Sequence, residues 1–166
     1  SALYFRDPTG NPLEIIHSPP DNGQPRWQGE TDSLFLCIDH TALAVADTER
    51  SLAFYRDKLG FTVAGKSVNM GPEQERLTGV FGARVRITGL RPPGGGIGVE
   101  FLEYQAPSTG RPLPPDTRAN DLWHAHIRMQ TPPLNLFIQR LLNGGFPFVS
   151  PGVVHFPNAP LGYGAA

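Results

Sequence analysis

The sequence predicts an α+β fold built from two copies of one unit, a strand opening on histidine followed by a capped helix. Three observations carry that expectation. The first copy, Asp39-His40-Thr41-Ala42-Leu43-Ala44-Val45, leads into a helix after Asp47 that stops near Gly60. The second, Trp123-His124-Ala125-His126-Ile127-Arg128-Met129, leads into a helix after Thr131 that stops near Gly144. In both, the capping residue lies seven residues past the histidine (His40 or His124). The third observation is a matching pair of apolar strands that each carry one glutamate, Val99-Glu100-Phe101-Leu102 and Leu13-Glu14-Ile15-Ile16.

In chain order, residues 3–5 and 13–17 flank Asp7-Pro8-Thr9-Gly10-Asn11, a turn-forming cluster that reads as a hairpin. Residues 18–33 form a Pro- and Gly-rich linker. The first module spans 34–105 in the order strand, helix, strand, strand, strand. Its helix, 48–59, places Leu52, Tyr55 and Leu59 on one face. Asp47 can accept the free N–H groups at its start, and Gly60 can adopt the left-handed terminating conformation. Strands follow at 61–64, 84–88 and 98–104. A second linker, 106–121, precedes the second module, 122–166. There Pro132 occupies the first helical turn, where its missing N–H costs nothing. Leu134, Ile138 and Leu141 form the apolar face, and strands are expected at 146–149 and 153–156. This module lacks its last Glu-strand, which the hairpin at 1–17 would supply. Joining Ala166 to Ser1 gives an unbroken approach into that hairpin. A circular permutation explains this order; a fragment of a longer tandem protein and strand exchange between protomers are the alternatives.

Composition bounds the function. A chain of 166 residues with 39% hydrophobic content can build one core or two small packed halves. Net charge −1 and a pI near 6.5 argue against a nucleic-acid-binding face. No apolar run reaches membrane-spanning length and no signal peptide is visible, so a cytoplasmic protein is expected. The single cysteine, Cys37, excludes an internal disulfide and a Cys-cluster metal site, and reads as a small buried hydrophobe.

The segments Ile38-Asp39-His40-Thr41-Ala42-Leu43-Ala44-Val45-Ala46-Asp47, Ser51-Leu52-Ala53-Phe54-Tyr55-Arg56-Asp57-Lys58-Leu59-Gly60-Phe61 and Phe5-Arg6-Asp7-Pro8-Thr9-Gly10-Asn11-Pro12-Leu13-Glu14 resemble the vicinal oxygen chelate superfamily (glyoxalase, bleomycin resistance, dioxygenase). The resemblance implies paired βαβββ modules whose sheets curl around a metal-holding cleft. It also implies ligands on the first and last strand of each module, here His40 and Glu100, and His124 and Glu14. The repeat independently favours His124 over His126, which lacks the seven-residue step to the cap. Both project to the same face of a strand, so His126 remains a possible cleft residue or substitute ligand. Glu103 and His17 align as another pair nearer the rim.

Imidazole and carboxylate suit one divalent ion, Mn, Fe, Co, Ni or Zn, and four protein ligands leave two octahedral positions for substrate oxygens. Such an ion acts as a Lewis acid and stabilises an enediolate, and either Glu14 or Glu100 can serve as the base, as the resemblance to glyoxalase I implies. The expected protein is therefore a metal-dependent lyase or isomerase of the glyoxalase/epimerase type. Its partner is a small molecule with adjacent oxygens, and a homodimer is possible. Two alternatives stay open: an extradiol-type Fe(II) dioxygenase using His40, His124 and Glu14, and a ligand-binding or resistance protein without turnover. The bland reading of the glutamates is pairing with Arg84, Arg86 or Arg128. Arg91-Pro92-Pro93-Gly94-Gly95-Gly96 reads as a flexible connection or a lid.

Overall fold

The computed structural model describes residues 1–19, 27–28, 32–131 and 134–154. Two compact units are present, residues 1–127 and 128–166. The first contains β1 (Ala2–Arg6), β2 (Pro12–Ile16), β3 (His40–Ala44), α1 (Thr48–Tyr55), β4 (Thr62–Met70), α2 (Pro72–Thr78), β5 (Arg84–Arg91) and β6 (Gly98–Ala106). The second contains α3 (Leu134–Asn143). The fold is α+β, as expected. Among the described residues no helix is long and apolar enough to cross a membrane.

The predicted hairpin forms as β1 and β2, antiparallel with Tyr4 opposite Glu14. Its turn is held by Asp7, whose Oδ1 accepts the N–H groups of Thr9 at 2.8 Å and Asn11 at 2.9 Å. The first module forms as a four-stranded sheet in the order β3-β6-β5-β4. β3 runs parallel to β6, with Ala42 opposite Glu100, while β5 is antiparallel to both neighbours. The α1 start follows its sequence signal: Asp47 Oδ1 accepts the Arg50 N–H at 3.0 Å. The helix closes earlier than predicted because its last turn widens, with Asp57 N–H bonding Leu52 O and Leu59 N–H bonding Phe54 O. Gly60 then takes φ +78° and turns the chain into β4.

The core lies between α1 and one face of the sheet. Leu52, Phe61, Leu90, Val99 and Phe101 are buried there, with Leu43, Val45, Tyr55 and Ile127 packed around them. Tyr55 meets Phe61 and Phe101 edge to face at centroid distances of 5.6 and 5.1 Å. Each fully buried Leu or Phe side chain contributes about 1.5–3 kcal/mol. Since residues alternate along a strand, Val99 and Phe101 commit one face of β6 to this core and release Glu100, Leu102 and Tyr104 to the other.

Several expectations are corrected. Residues 72–78 form α2, which the sequence reading passed over, and β4 runs on to Met70. Cys37 is exposed, because the approach to β3 at 32–38 joins no ladder. Residues 123–129 and 146–149 form no strand. A strand persists only when its N–H and C=O groups pair with a neighbour, and among the described residues β1 and β2 pair only with each other. Pro147 also removes a donor from the second segment. The α3 terminator is Gly145, at φ +71°, rather than Gly144. Of the expected strand at 153–156, residues 153–154 form no strand and the rest lies outside the described residues, as does Ala166, and with it the expected meeting with Ser1.

Candidate functional site

The face of the sheet turned away from α1 bears a cavity of about 300 Å³, and its wall can be built strand by strand. Glu100, Leu102 and Tyr104 on β6 contribute one row. The ladder sets Gly89 and Gly65 beside Glu100, Ile87 and Ser67 beside Leu102, and Val85 and Asn69 beside Tyr104. His40 stands next to Glu100 on the edge strand β3. Across the cavity the hairpin presents Tyr4 and Glu14, and α2, packed against β1 and β4, presents Gln74, Leu77 and Thr78. One end is therefore acidic with an imidazole, the middle is aliphatic, and the other end is neutral and polar.

His40 is held from behind. Asp39 Oδ2 lies 2.9 Å from its Nδ1, and Arg91 in turn reaches Asp39 Oδ1 at 3.0 Å and the Asp39 carbonyl at 3.1 Å. Asp39 can accept a proton from Nδ1, and Nε2 faces Glu100, whose Oε1 is 3.6 Å away. A carboxylate orienting the far nitrogen of an imidazole is the support that metal-binding histidines use. Arg91 passes close to Gly98: a Cβ at that position would sit 2.7 Å from the Arg91 guanidinium and 3.2 Å from His40 Cβ. A side chain there would displace the Arg91 guanidinium and press on His40, so glycine leaves the brace its room.

Burial pushes the Glu14 carboxyl up; His40 partly offsets this and Glu100 adds to it. Glu100 is raised by burial, offset by His40 and reinforced by Asp39. The Tyr4 hydroxyl is pushed up to about 12, by burial first and then by Glu14, Tyr104 and Glu100. Tyr4 is therefore a neutral hydrogen-bond donor at any physiological pH.

Three of the four residues expected as ligands, His40, Glu100 and Glu14, thus line one cavity. His124 does not. It lies in an irregular segment where its N–H bonds Asp121 O at 2.9 Å, and its exposed ring stands 5.8 Å from that of His126, also exposed. Neither histidine lines the cavity. Glu103 is no rim residue: it faces α1, accepts the N–H and hydroxyl of Thr48, and lies 3.6 Å from Arg86. Arg86 also pairs with Glu49, and Arg84 bonds Gln105, so neither neutralises Glu100. The sequence reading missed Tyr4, Tyr104, Asn69, Gln74 and the Arg91 brace. The two tyrosines were findable, one by counting alternate residues from Glu100 and the other by pairing the hairpin across from Glu14.

The donor types fit a divalent cation: one oriented imidazole and two half-buried carboxylates, with no lysine or arginine in the cavity wall among the described residues. Their present spacing is looser than a closed coordination shell, since no group of three His, Cys, Asp or Glu among the described residues is set to encircle an ion.

The topology is that of a small α+β domain with a polar cavity on one sheet face. The chain belongs to the Glyoxalase/Bleomycin resistance protein/Dioxygenase superfamily, whose family model matches residues 37–158. It is similar in fold to the crystal structure of a glyoxalase family protein from Bacillus cereus. That alignment has a TM-score of 0.60 and 20% identity, covering 78% of this chain and 85% of the other. A second solved chain, SMU.1112c, aligns at TM-score 0.39 and 20% identity over 68% of this chain and 77% of its own. Comparison with curated proteins gives no match.

Proposed function

We propose that the chain is a divalent-metal-dependent enzyme of the glyoxalase I/epimerase type, which moves a proton on a small substrate with two adjacent oxygens. The observation that supports this best is the meeting of His40, Glu100 and Glu14, from three different strands, at one end of the cavity. These three residues would hold the ion. When bound, it supplies the positive charge that acidifies a C–H beside the substrate oxygens.

The chain's own groups divide the remaining work. Asp39 and Arg91 hold the His40 ring, and Glu100 faces it. Glu14 makes no hydrogen bond or ion pair within the described residues, so it is the carboxylate freer to take a proton. Burial moves its pKa toward neutrality, which improves a carboxylate base. Tyr4 donates to substrate oxygen, while the hairpin and α2 exclude bulk water. A dioxygenase centre of the two-histidine type needs two imidazoles, and among the described residues His40 alone lines this cavity. Metal analysis of the purified protein, together with solvent deuterium exchange into α-hydroxy carbonyl substrates, tests the proposal. Metal-dependent exchange that Glu14→Gln abolishes supports it. Stoichiometric metal with oxygen uptake on catechols and no exchange would overturn it in favour of the dioxygenase, and a protein that takes up no metal would leave the binding-protein reading.

A further inference from the structure

Gln74 has no place in that proton transfer, yet it is the most deeply buried polar side chain of the cavity wall, at 7% exposure. Its backbone carbonyl accepts the Thr78 hydroxyl at 2.9 Å, but its carboxamide has no hydrogen-bond partner among the described residues. A carboxamide that lines a cavity and has no protein partner is free to pair with a polar group of whatever fills it. The helix that carries it is firmly set. Pro72 starts α2, Gly79 ends it at φ +69°, and Glu75 Oε1 accepts the Gly82 N–H at 3.0 Å.

We infer that the cavity takes an uncharged, two-ended substrate: adjacent oxygens at the His40–Glu100 end, an apolar middle, and a hydroxyl, carbonyl or amide group read by Gln74. The inference rests on the chelating end assigned under Proposed function. Tyr104 lies four residues beyond Glu100 on β6, so the two are about 13 Å apart along the strand. Leu102 and Ile87 lie between them and offer hydrocarbon to the middle of the ligand. A carboxamide donates and accepts equally, so it pairs with neutral polar groups and gives a carboxylate no compensating charge. Arg84, Arg86 and Arg91, on the strand next to β6, are turned to Gln105, to Glu49 and Glu103, and to Asp39. A carboxylate or phosphate tail would enter a cavity that already holds two carboxylates, with no arginine to meet it among the described residues.

The test uses dihydrocaffeic acid and its primary amide. They share a catechol head and a two-carbon spacer, and at neutral pH differ only in the charge of the tail. Calorimetric titration of the full chain, with and without added Mn²⁺, should show the amide binding about tenfold tighter than the acid. Gln74→Leu should remove most of that preference by weakening the amide alone. Equal or tighter binding of the acid, equal weakening of both by Gln74→Leu, or no saturable binding of either probe would overturn the inference. If Gln74→Leu does not fold, the selectivity of the unaltered chain decides. A protein that binds no metal yet keeps the Gln74-dependent preference refutes the proposed enzyme and leaves this inference standing. One that binds metal without the preference does the reverse.

Discussion

His40 and His124 open segments with the same local pattern, yet one ring lies in a ladder beside Glu100 and the other stands exposed beside His126. In the first copy the His-strand and the Glu-strand are neighbours, so ladder register alone delivers both side chains to one face. In the second, the Glu-strand β2 pairs with β1, and the His-segment joins no sheet among the described residues. Glu14 reaches the cavity all the same, carried there by the hairpin. Local pattern chooses which side of a strand a residue faces, and tertiary pairing chooses whether the strand exists.

Breaking each histidine in turn tests this contrast most severely. On the proposed metal site, His40→Ala should lower metal affinity about a hundredfold or more, since a ligand there would count for at least as much as its supporting partners. His124→Ala should change it by less than about twofold. Competition against a coloured chelator reads both. The reverse ranking would mean that the second copy supplies the ligand.

The same contrast extends to packing. Leu52 is fully buried under the first copy, whereas α3 of the second unit has no buried residue. Leu52→Ala should cost about 3 kcal/mol of unfolding free energy, and Ile138→Ala less than about 1 kcal/mol, in urea denaturation. Similar losses would show that α3 packs as tightly as α1. A smaller effect is expected behind the imidazole. Asp39→Asn keeps the shape of the side chain and removes its charge from both His40 and Arg91. Metal affinity should fall about tenfold, the low end for a supporting residue, with thermal stability little altered. An unchanged affinity would make Asp39 a packing residue only.

Much of the first module was legible because its signals are local. Asp47 and Gly60 bracket α1, and alternation along β6 sends Phe101 inward and Glu100 to the cavity. The repeat made His40, Glu100 and Glu14 stand out. By contrast, α2 is a seven-residue helix in which Gln74 is the one buried residue, too short for a helical period to show, although Gly71-Pro72 and Gly79 mark its ends. The later part of β4 was missed because one of its faces lines a polar cavity, so Ser67 and Asn69 break the expected apolar alternation. The Arg91–Asp39–His40 brace depends on the missing side chain at Gly98, a contact between strands that no local spacing encodes.

The smallest effect concerns the hairpin that carries Glu14 in place of a second His-strand pairing. Asp7 holds its turn, and hydrogen bonds from Asn11 and then Thr9 lower its carboxyl from 3.8 to about 2. With the folded value below the unfolded one, the unfolded chain binds more protons between these limits, so the turn's stabilisation is intact above about pH 4 and fades toward pH 2. The carboxylate is exposed and solvent-screened, so the consequence is local loosening rather than global unfolding. Amide exchange at Thr9 and Asn11 should lose protection across that window, while Leu52 on α1 keeps its own. In Asp7→Ala the two turn amides should exchange quickly at every pH. If they stay protected at pH 2, the strand pairing of β1 with β2 fixes the turn by itself, and Asp7 is not what sets the position of Glu14.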